Sequence, residues 1–353
     1  MSCPTIVVDR LEGSCEDAYA EFVDEHCDAT FYHSRSYRSF LLNLLGCQCS
    51  TLVARSGDDI QGVMPMMSTT GSHGTVFNSL PFYGSYGGVL ATNAEAERAL
   101  WMGYRDLLAG ANVCAGTVIM NPFCGNFEGY GDAPAGAIDR RLVQYSMLES
   151  GAEFSTRLMA QIDGSSRRNI RKAERDGVVV VVDEGRMEFL TDCHAENMQN
   201  IGGRPKPRAF FDSLADHFCA GRDYRLYVGQ IDGEPISALL LFYYRNYVEY
   251  FVPATVHAHR NVQPMALILY RAMCDAAREG YRIWNWGGTW ESQTGVYRFK
   301  KKWGATERNY NYLVTVVDPD LVEYAVQEEL ASSYEHFYDV PFRLLKTATR
   351  SMP

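Results

Sequence analysis

One order of elements occurs twice in this sequence, and that repeat limits the folds open to the chain more than any other feature. Residues 51–67, TLVARSGDDIQGVMPMM, hold two half-buried runs joined by a Gly-Asp turn at Gly57 and Asp58, which is hairpin chemistry. Residues 225–242, RLYVGQIDGEPISALLLF, again set strand, Asp-Gly turn, strand. A helix of comparable length follows each pair, Ala94 to Leu108 in the first half and Pro264 to Arg278 in the second. Each helix then leads through a glycine to another strand, Asn112 to Met120 and Tyr281 to Trp286. The chain reads as two copies of one α/β unit, with mixed twisted sheets flanked by helices. Gly131, Pro134 and Gly136 break periodicity between Tyr130 and Gly151, so the expected units are 1–140 and 141–353.

The remaining stretches fit around that repeat. Cys15 to Leu45 reads as helix broken by a polar link around Asp28 to Ser34, and helix resumes beyond Asp318 to about Leu330, ahead of an aromatic tail. No stretch approaches the roughly 20 apolar residues of a membrane span. The opening MSCPTIVVDR places an Asp and an Arg where a signal peptide needs an apolar run, so a cytoplasmic location is expected. Ten cysteines are scattered; the closest pair, Cys47 and Cys49, has no matching Cys/His pair elsewhere, and neither a metal site nor a disulfide framework is expected. A net charge of −10 argues against general nucleic-acid affinity and confines any RNA contact to a local basic groove.

Two such basic stretches exist. In DGSSRRNIRKAERDGVVV, residues 163–180, Asp163 or Ser165 can cap a helix that Gly177 ends, and Arg168, Arg171, Lys172 and Arg175 fall at i, i+3, i+4 and i+7. Like charges at that spacing cost roughly 0.2–0.5 kcal/mol per pair. Glu174 and Asp176 offset part of this, which leaves either a solvated face or an anion site. The second stretch, WNWGGTWESQTGVYRFKKKWG from Trp284 to Gly304, reads as strand, glycine turn and basic helix. Lysines beside aromatic rings there point to an anionic ligand.

The run GVYRFKKKWGA, preceded by WNWGGT and by the basic helix of residues 163–180, resembles the Fem-like branch of the GNAT acyltransferases, the FemA, FemB and FemX peptidyltransferases. The resemblance covers about Leu158 to Val316 and, more loosely, the first half. It implies two GNAT-like units and transfer of an aminoacyl group from aminoacyl-tRNA to an amine, on a cell-wall precursor or a small metabolite. Lys300 matches the family's motif lysine, which holds donor phosphate or developing negative charge, with Tyr297 and Arg298 beside it. By the same resemblance Arg168 and Arg171, with Lys172, line a phosphate groove, and FNSLPFYGSYGGVL sets Tyr83 and Tyr86 beside Gly84, Gly87 and Gly88 in an acceptor pocket that Trp286 completes. Packing explains those tyrosines equally well.

For a base the residues offer Glu249, on a strand with Tyr247 and Phe251, and the loop histidines His257 and His259. HAHRNVQPMALI, residues 257–268, stands where an acyl-CoA enzyme carries a glycine-rich pyrophosphate loop. Arg260 is present, the glycines are not, and Pro264 removes an N–H. This weakens a coenzyme A donor, and the Fem-like resemblance implies aminoacyl-tRNA as the co-substrate, with no resident cofactor. A coenzyme A thioester donor and a non-catalytic RNA- or saccharide-binding module are the alternatives.

Overall fold

The computed structural model describes residues 6–82, 85–124, 136–149, 151, 153–289 and 293–346. They form two units, residues 1–141 with 309–353, and residues 142–308.

The first unit opens with β1 (Val7–Arg10), α1 (Glu16–Glu25) and α2 (Arg35–Leu45). The break between the helices falls in the expected link: Ser34 Oγ accepts the Tyr37 N–H at 3.2 Å, and Gly46, at φ +59°, ends α2. Strands β2 (Gln48–Cys49), β3 (Leu52–Ser56), β4 (Asp59–Met64), β5 (Met67–Gly71), β6 (Gly74–Asn78) and β7 (Leu90–Ala91) follow, then α3 (Ala94–Leu108) and β8 (Val113–Ile119). The β3–β4 turn is the one the sequence predicts, and α3 starts where Asn93 Oδ1 accepts the Ala96 N–H at 2.9 Å. Strand β9 (Ala137–Met147) leads into the second unit.

That unit comprises α4 (Phe154–Gln161), α5 (Gly164–Arg175), β10 (Val179–Val182), α6 (Met187–Asn200), α7 (Arg208–Asp212), α8 (Leu214–His217), β11 (Tyr224–Ile231), β12 (Glu234–Tyr244), β13 (Tyr247–Thr255), α9 (Pro264–Arg278), β14 (Ile283–Thr289) and α10 (Thr294–Lys301). Its strands lie in the order β10-β11-β12-β13-β14-β9. Asp232 and Gly233, at φ +51° and +84°, make the tight β11–β12 turn that an Asp-Gly pair favours. Helix α9 is the crossover between the parallel strands β13 and β14. It buries Ile268, Leu269, Ala272 and Met273 against Leu239, Leu241, Val248 and Trp284, and α5 adds Ile170 to the same core.

The expected second unit, 141–353, is too long at its C-terminal end. Strand β15 (Thr306–Val316) leaves the second unit at Arg308 and pairs antiparallel with β8, from Tyr312↔Ile119 to Val316↔Ala115. Helices α11 (Asp320–Tyr324) and α12 (Gln327–Ser333) then bury Leu321, Leu330 and Tyr334 with Val76 and Cys114 of the first unit. This non-local pairing, which no local signal announces, returns residues 309–353 to the first unit. Gly131 and Pro134, part of the expected boundary, lie outside the described residues. Among the described residues no helix is long and apolar enough to cross a membrane.

Candidate active site

Strands β13 and β14 pair for three residues only: Tyr247↔Ile283, Val248↔Trp284 and Glu249↔Asn285. Beyond that register each follows another neighbour. The β12–β13 register shifts so that Phe251 is the extra residue of a bulge, and the β14–β9 register shifts between Asn285 and Gly287. Two irregularities thus flank one opening at the carboxyl ends of parallel strands, the usual place for ligands in α/β sheets. In the first unit the corresponding end of β6 and β8 is stitched together. There Ser79 N–H donates to Thr117 O at 3.0 Å, Ile119 N–H to Ser79 Oγ at 2.7 Å, and Gly87 N–H to Ile119 O at 2.9 Å.

A chain of buried polar groups runs along the open end. Asn285 Nδ2 donates to Glu249 Oε2 at 2.7 Å, tying the two strands at their last shared register, and Asn285 Oδ1 accepts the Gly287 N–H at 2.9 Å. Gly287 turns there with φ +74°, a conformation glycine adopts without strain. Lys300 Nζ, reaching back from α10, donates to Gly287 O at 3.1 Å, Gly288 O at 2.9 Å and Thr289 Oγ1 at 2.8 Å. Thr289 Oγ1 donates to Gln144 Oε1 at 2.9 Å, and Gln144 Nε2 to Tyr297 O at 3.2 Å. All five side chains, those of Gln144, Glu249, Asn285, Thr289 and Lys300, are buried.

This network revises the role expected of Lys300. Its ammonium has three donors, and all three are engaged by the protein, so it fixes the Gly287–Gly288 turn instead of facing donor phosphate. Burial pulls its pKa down from 10.5 to about 8. Glu249, 1% exposed, holds strands together and is out of reach of an incoming amine. Trp286 is likewise a packing residue: its Nε1 donates to Ser146 Oγ at 2.9 Å, and its ring meets Tyr250, Trp284 and Trp303. Tyr297 donates its hydroxyl to Glu307 Oε2 at 2.7 Å on the surface, and that bond raises its pKa.

The basic residues separate into engaged and available ones. Asp163 caps α5, accepting the Ser165 N–H at 2.7 Å, while its own N–H donates to Lys302 O at 2.8 Å, so the end of α10 abuts the start of α5. Arg167 caps α4 instead, with its Nη1 donating to Met159 O and Ile162 O. Lys172 pairs with Asp176 at 2.7 Å and leaves the expected phosphate set. Arg168, Arg171 and Arg175 are exposed, and among the described residues Arg171 and Arg175 have no side-chain partner. Arg298 is exposed on α10. Arg260 is exposed on the short 3₁₀ stretch His257–Val262, with His257 exposed and His259 half-buried.

The expected acceptor pocket does not form around Tyr86. That ring is fully buried in the first unit against Tyr32, Phe123 and Tyr310. Tyr83 and Gly84 lie outside the described residues. Asn285, Gln144 and Thr289 escaped the sequence reading. A buried asparagine between two tryptophans, in W-N-W, was the one signal that a polar contact must wait there.

Residues 164–301 match the family model described as the acetyltransferase (GNAT) domain. Among solved structures the chain is similar to FemX, with a TM-score of 0.67 and 13% identity over 92% of this chain and 99% of that one. It is also similar to the C-terminal domain of a protein described as a lysylphosphatidylglycerol synthetase from Agrobacterium fabrum, with a TM-score of 0.54 and 10% identity over 93% and 98%. A tandem GNAT protein from the clavulanic acid biosynthesis pathway gives a TM-score of 0.53 and 11% identity over 89% and 99%. No curated protein matches the sequence. Residues 164–301 of the second unit are thus similar to a GNAT acetyltransferase domain, and the whole chain shares its fold with FemX and with the tandem GNAT protein.

Proposed function

We propose that this acyltransferase moves an aminoacyl group from aminoacyl-tRNA to an amine acceptor, a cell-wall precursor or a small metabolite, forming an amide bond. The observation that carries the reading is the row of exposed arginines on α5, Arg168, Arg171 and Arg175. In a chain of net charge −10, such a row, with no carboxylate partner at Arg171 and Arg175 among the described residues, suits a polyanion gripped along its backbone. A single pyrophosphate would need less. The entry to α9 supports the same donor: Gln263 sits at φ +63° where a glycine would let a ligand approach, and Pro264 supplies no N–H to a phosphate cradle.

The chemistry asked of such a site is modest. The 3′ ester of a charged tRNA is already activated, so the protein must orient the amine, accept a proton from it and favour the developing oxyanion. The rigid turn at Gly287 and Gly288, held by Lys300, offers a fixed wall against which that geometry can be set. Incubating the protein with charged tRNA or with acyl-coenzyme A and a panel of amines, with mass detection of the amide, tests the proposal. Product from charged tRNA is expected; product from coenzyme A thioester alone would replace the donor named here.

A further inference from the structure

In the first unit β2 and β5 pair antiparallel over two residues, Gln48↔Ser68 and Cys49↔Met67. Cross-strand partners hold their Cβ atoms about 4.5–5.5 Å apart, so Cys49 and Met67 lie side by side. Cys47 stands two positions before Cys49, which alternation along an extended chain puts on the same face, and its Sγ meets Met67 Sδ at 3.8 Å. Met67 is buried, Cys47 half-buried and Cys49 exposed, so the three sulfurs run from core to rim. In the sequence this Cys-x-Cys pair lacks a matching Cys/His pair; the fold adds a methionine instead. A cation backs the rim thiol. Arg38 on α2, itself 2% exposed, donates from Nη1 to Cys49 Sγ at 3.4 Å and from Nη2 to Glu16 Oε2.

We propose that Cys47, Cys49 and Met67 form a binding site for one copper(I) ion. Two sulfurs each about 2.3 Å from a shared ion stand about 3.8–4.0 Å apart. The Cys47–Met67 separation is already that of two ligands of one ion. Two thiolates and a thioether are soft donors, and such a set, with no imidazole or carboxylate in it, selects copper(I). Zinc asks instead for four ligands drawn from thiolate, imidazole and carboxylate. On binding, both thiols release their protons to solvent and no electron is transferred. Two thiolates around a monovalent ion leave one net negative charge, which the Arg38 guanidinium faces while it fixes the direction of the Cys49 sulfur. The neighbouring thiol cluster of His26, Cys27 and Asp28 is less suited. There His26 Nδ1 accepts the Asp28 N–H at 3.2 Å and Nε2 bonds Ala91 O at 3.2 Å, so both ring nitrogens are occupied.

Titrating the reduced, full-length protein anaerobically with copper(I) held by bicinchoninate, and following the chelator's colour, tests the site. The wild type is expected to take one ion from the chelator and to show three sulfurs at about 2.3 Å by X-ray absorption. Cys47→Ser and Cys49→Ser should each weaken binding at least about 100-fold, and Met67→Leu, which keeps the volume, about tenfold. Cys27→Ser should bind as the wild type does. Cys49 is exposed, so its variant carries the test should Cys47→Ser not fold. A wild type that takes no copper overturns the proposal, and so does Cys49→Ser binding with unchanged affinity. A two-sulfur absorption spectrum, or Met67→Leu binding as tightly as the wild type, overturns the three-sulfur site. None of these readouts involves acyl transfer, so the result stands apart from the choice of donor.

Discussion

Replacing Lys300 by methionine tests whether its ammonium fixes the β14 turn. Methionine keeps most of the stem that packs under α10 but removes three donors, those to Gly287 O, Gly288 O and Thr289 Oγ1. Hydrogen bonds from a charged donor are worth about 1.5–3 kcal/mol each, so their gross contribution is about 4–9 kcal/mol. Burial opposes it: lowering the pKa from 10.5 to about 8 corresponds to about 3.4 kcal/mol against the charged form. The net loss expected in Lys300→Met is therefore about 1–5 kcal/mol at pH 7, read as a shift in the urea midpoint at constant m. A loss under about 0.5 kcal/mol would mean that the three bonds do not hold the turn. The pH dependence adds a second check. Between pH 8 and 10.5 the unfolded chain keeps the Lys300 proton while the folded chain has released it, so this residue makes stability rise with pH across that window. The stability difference between wild type and variant should widen there by about 3 kcal/mol; a flat difference would show that burial does not draw the proton off.

Two further substitutions probe the same network. Asn285→Ala removes the partner of Glu249 Oε2 and of the Gly287 N–H inside a buried region, and should cost about 2–4 kcal/mol by urea unfolding; a loss within 0.5 kcal/mol would deny the link between β13 and β14. Among the described residues, Gly287→Ala meets no atom within 4 Å, but it forces a side chain onto φ +74°. It should lower stability by about 1 kcal/mol through backbone strain alone, and an unchanged thermal midpoint would contradict that.

Much of the fold is legible in the sequence because its signals are local. Helix α9 starts at Pro264 and α3 just after Asn93, each a recognised opening residue, and Asp232-Gly233 makes the hairpin turn its composition favours. Helix α5 begins at the cap that Asp163 provides. What the sequence hides is set by partners far along the chain. Three consecutive lysines default to solvent, yet Lys300 is 4% exposed, because the α10 face that meets β14 brings it to two glycine carbonyls. Tyr86 reads as a pocket residue beside glycines and is instead the centre of an aromatic cluster drawn from residues 32, 123 and 310. Residues 309–353 follow β15 back to β8, a pairing across almost two hundred positions. The phosphate-binding set shrank for a related reason: Lys172 finds Asp176 one turn on, while among the described residues Arg171 has no carboxylate partner.

The central claim is that the exposed arginines of α5 grip the phosphates of a tRNA-borne donor. Its most direct test is the dissociation constant of charged tRNA measured from low to moderate salt for the wild type and for Arg171→Ala. A plot of log affinity against log salt should be steep and linear for the wild type, and about one unit shallower for the variant, with the largest loss of affinity at the lowest salt. Identical slopes, or an equal loss at every salt concentration, would place Arg171 outside the donor site and remove the observation on which the choice of donor stands.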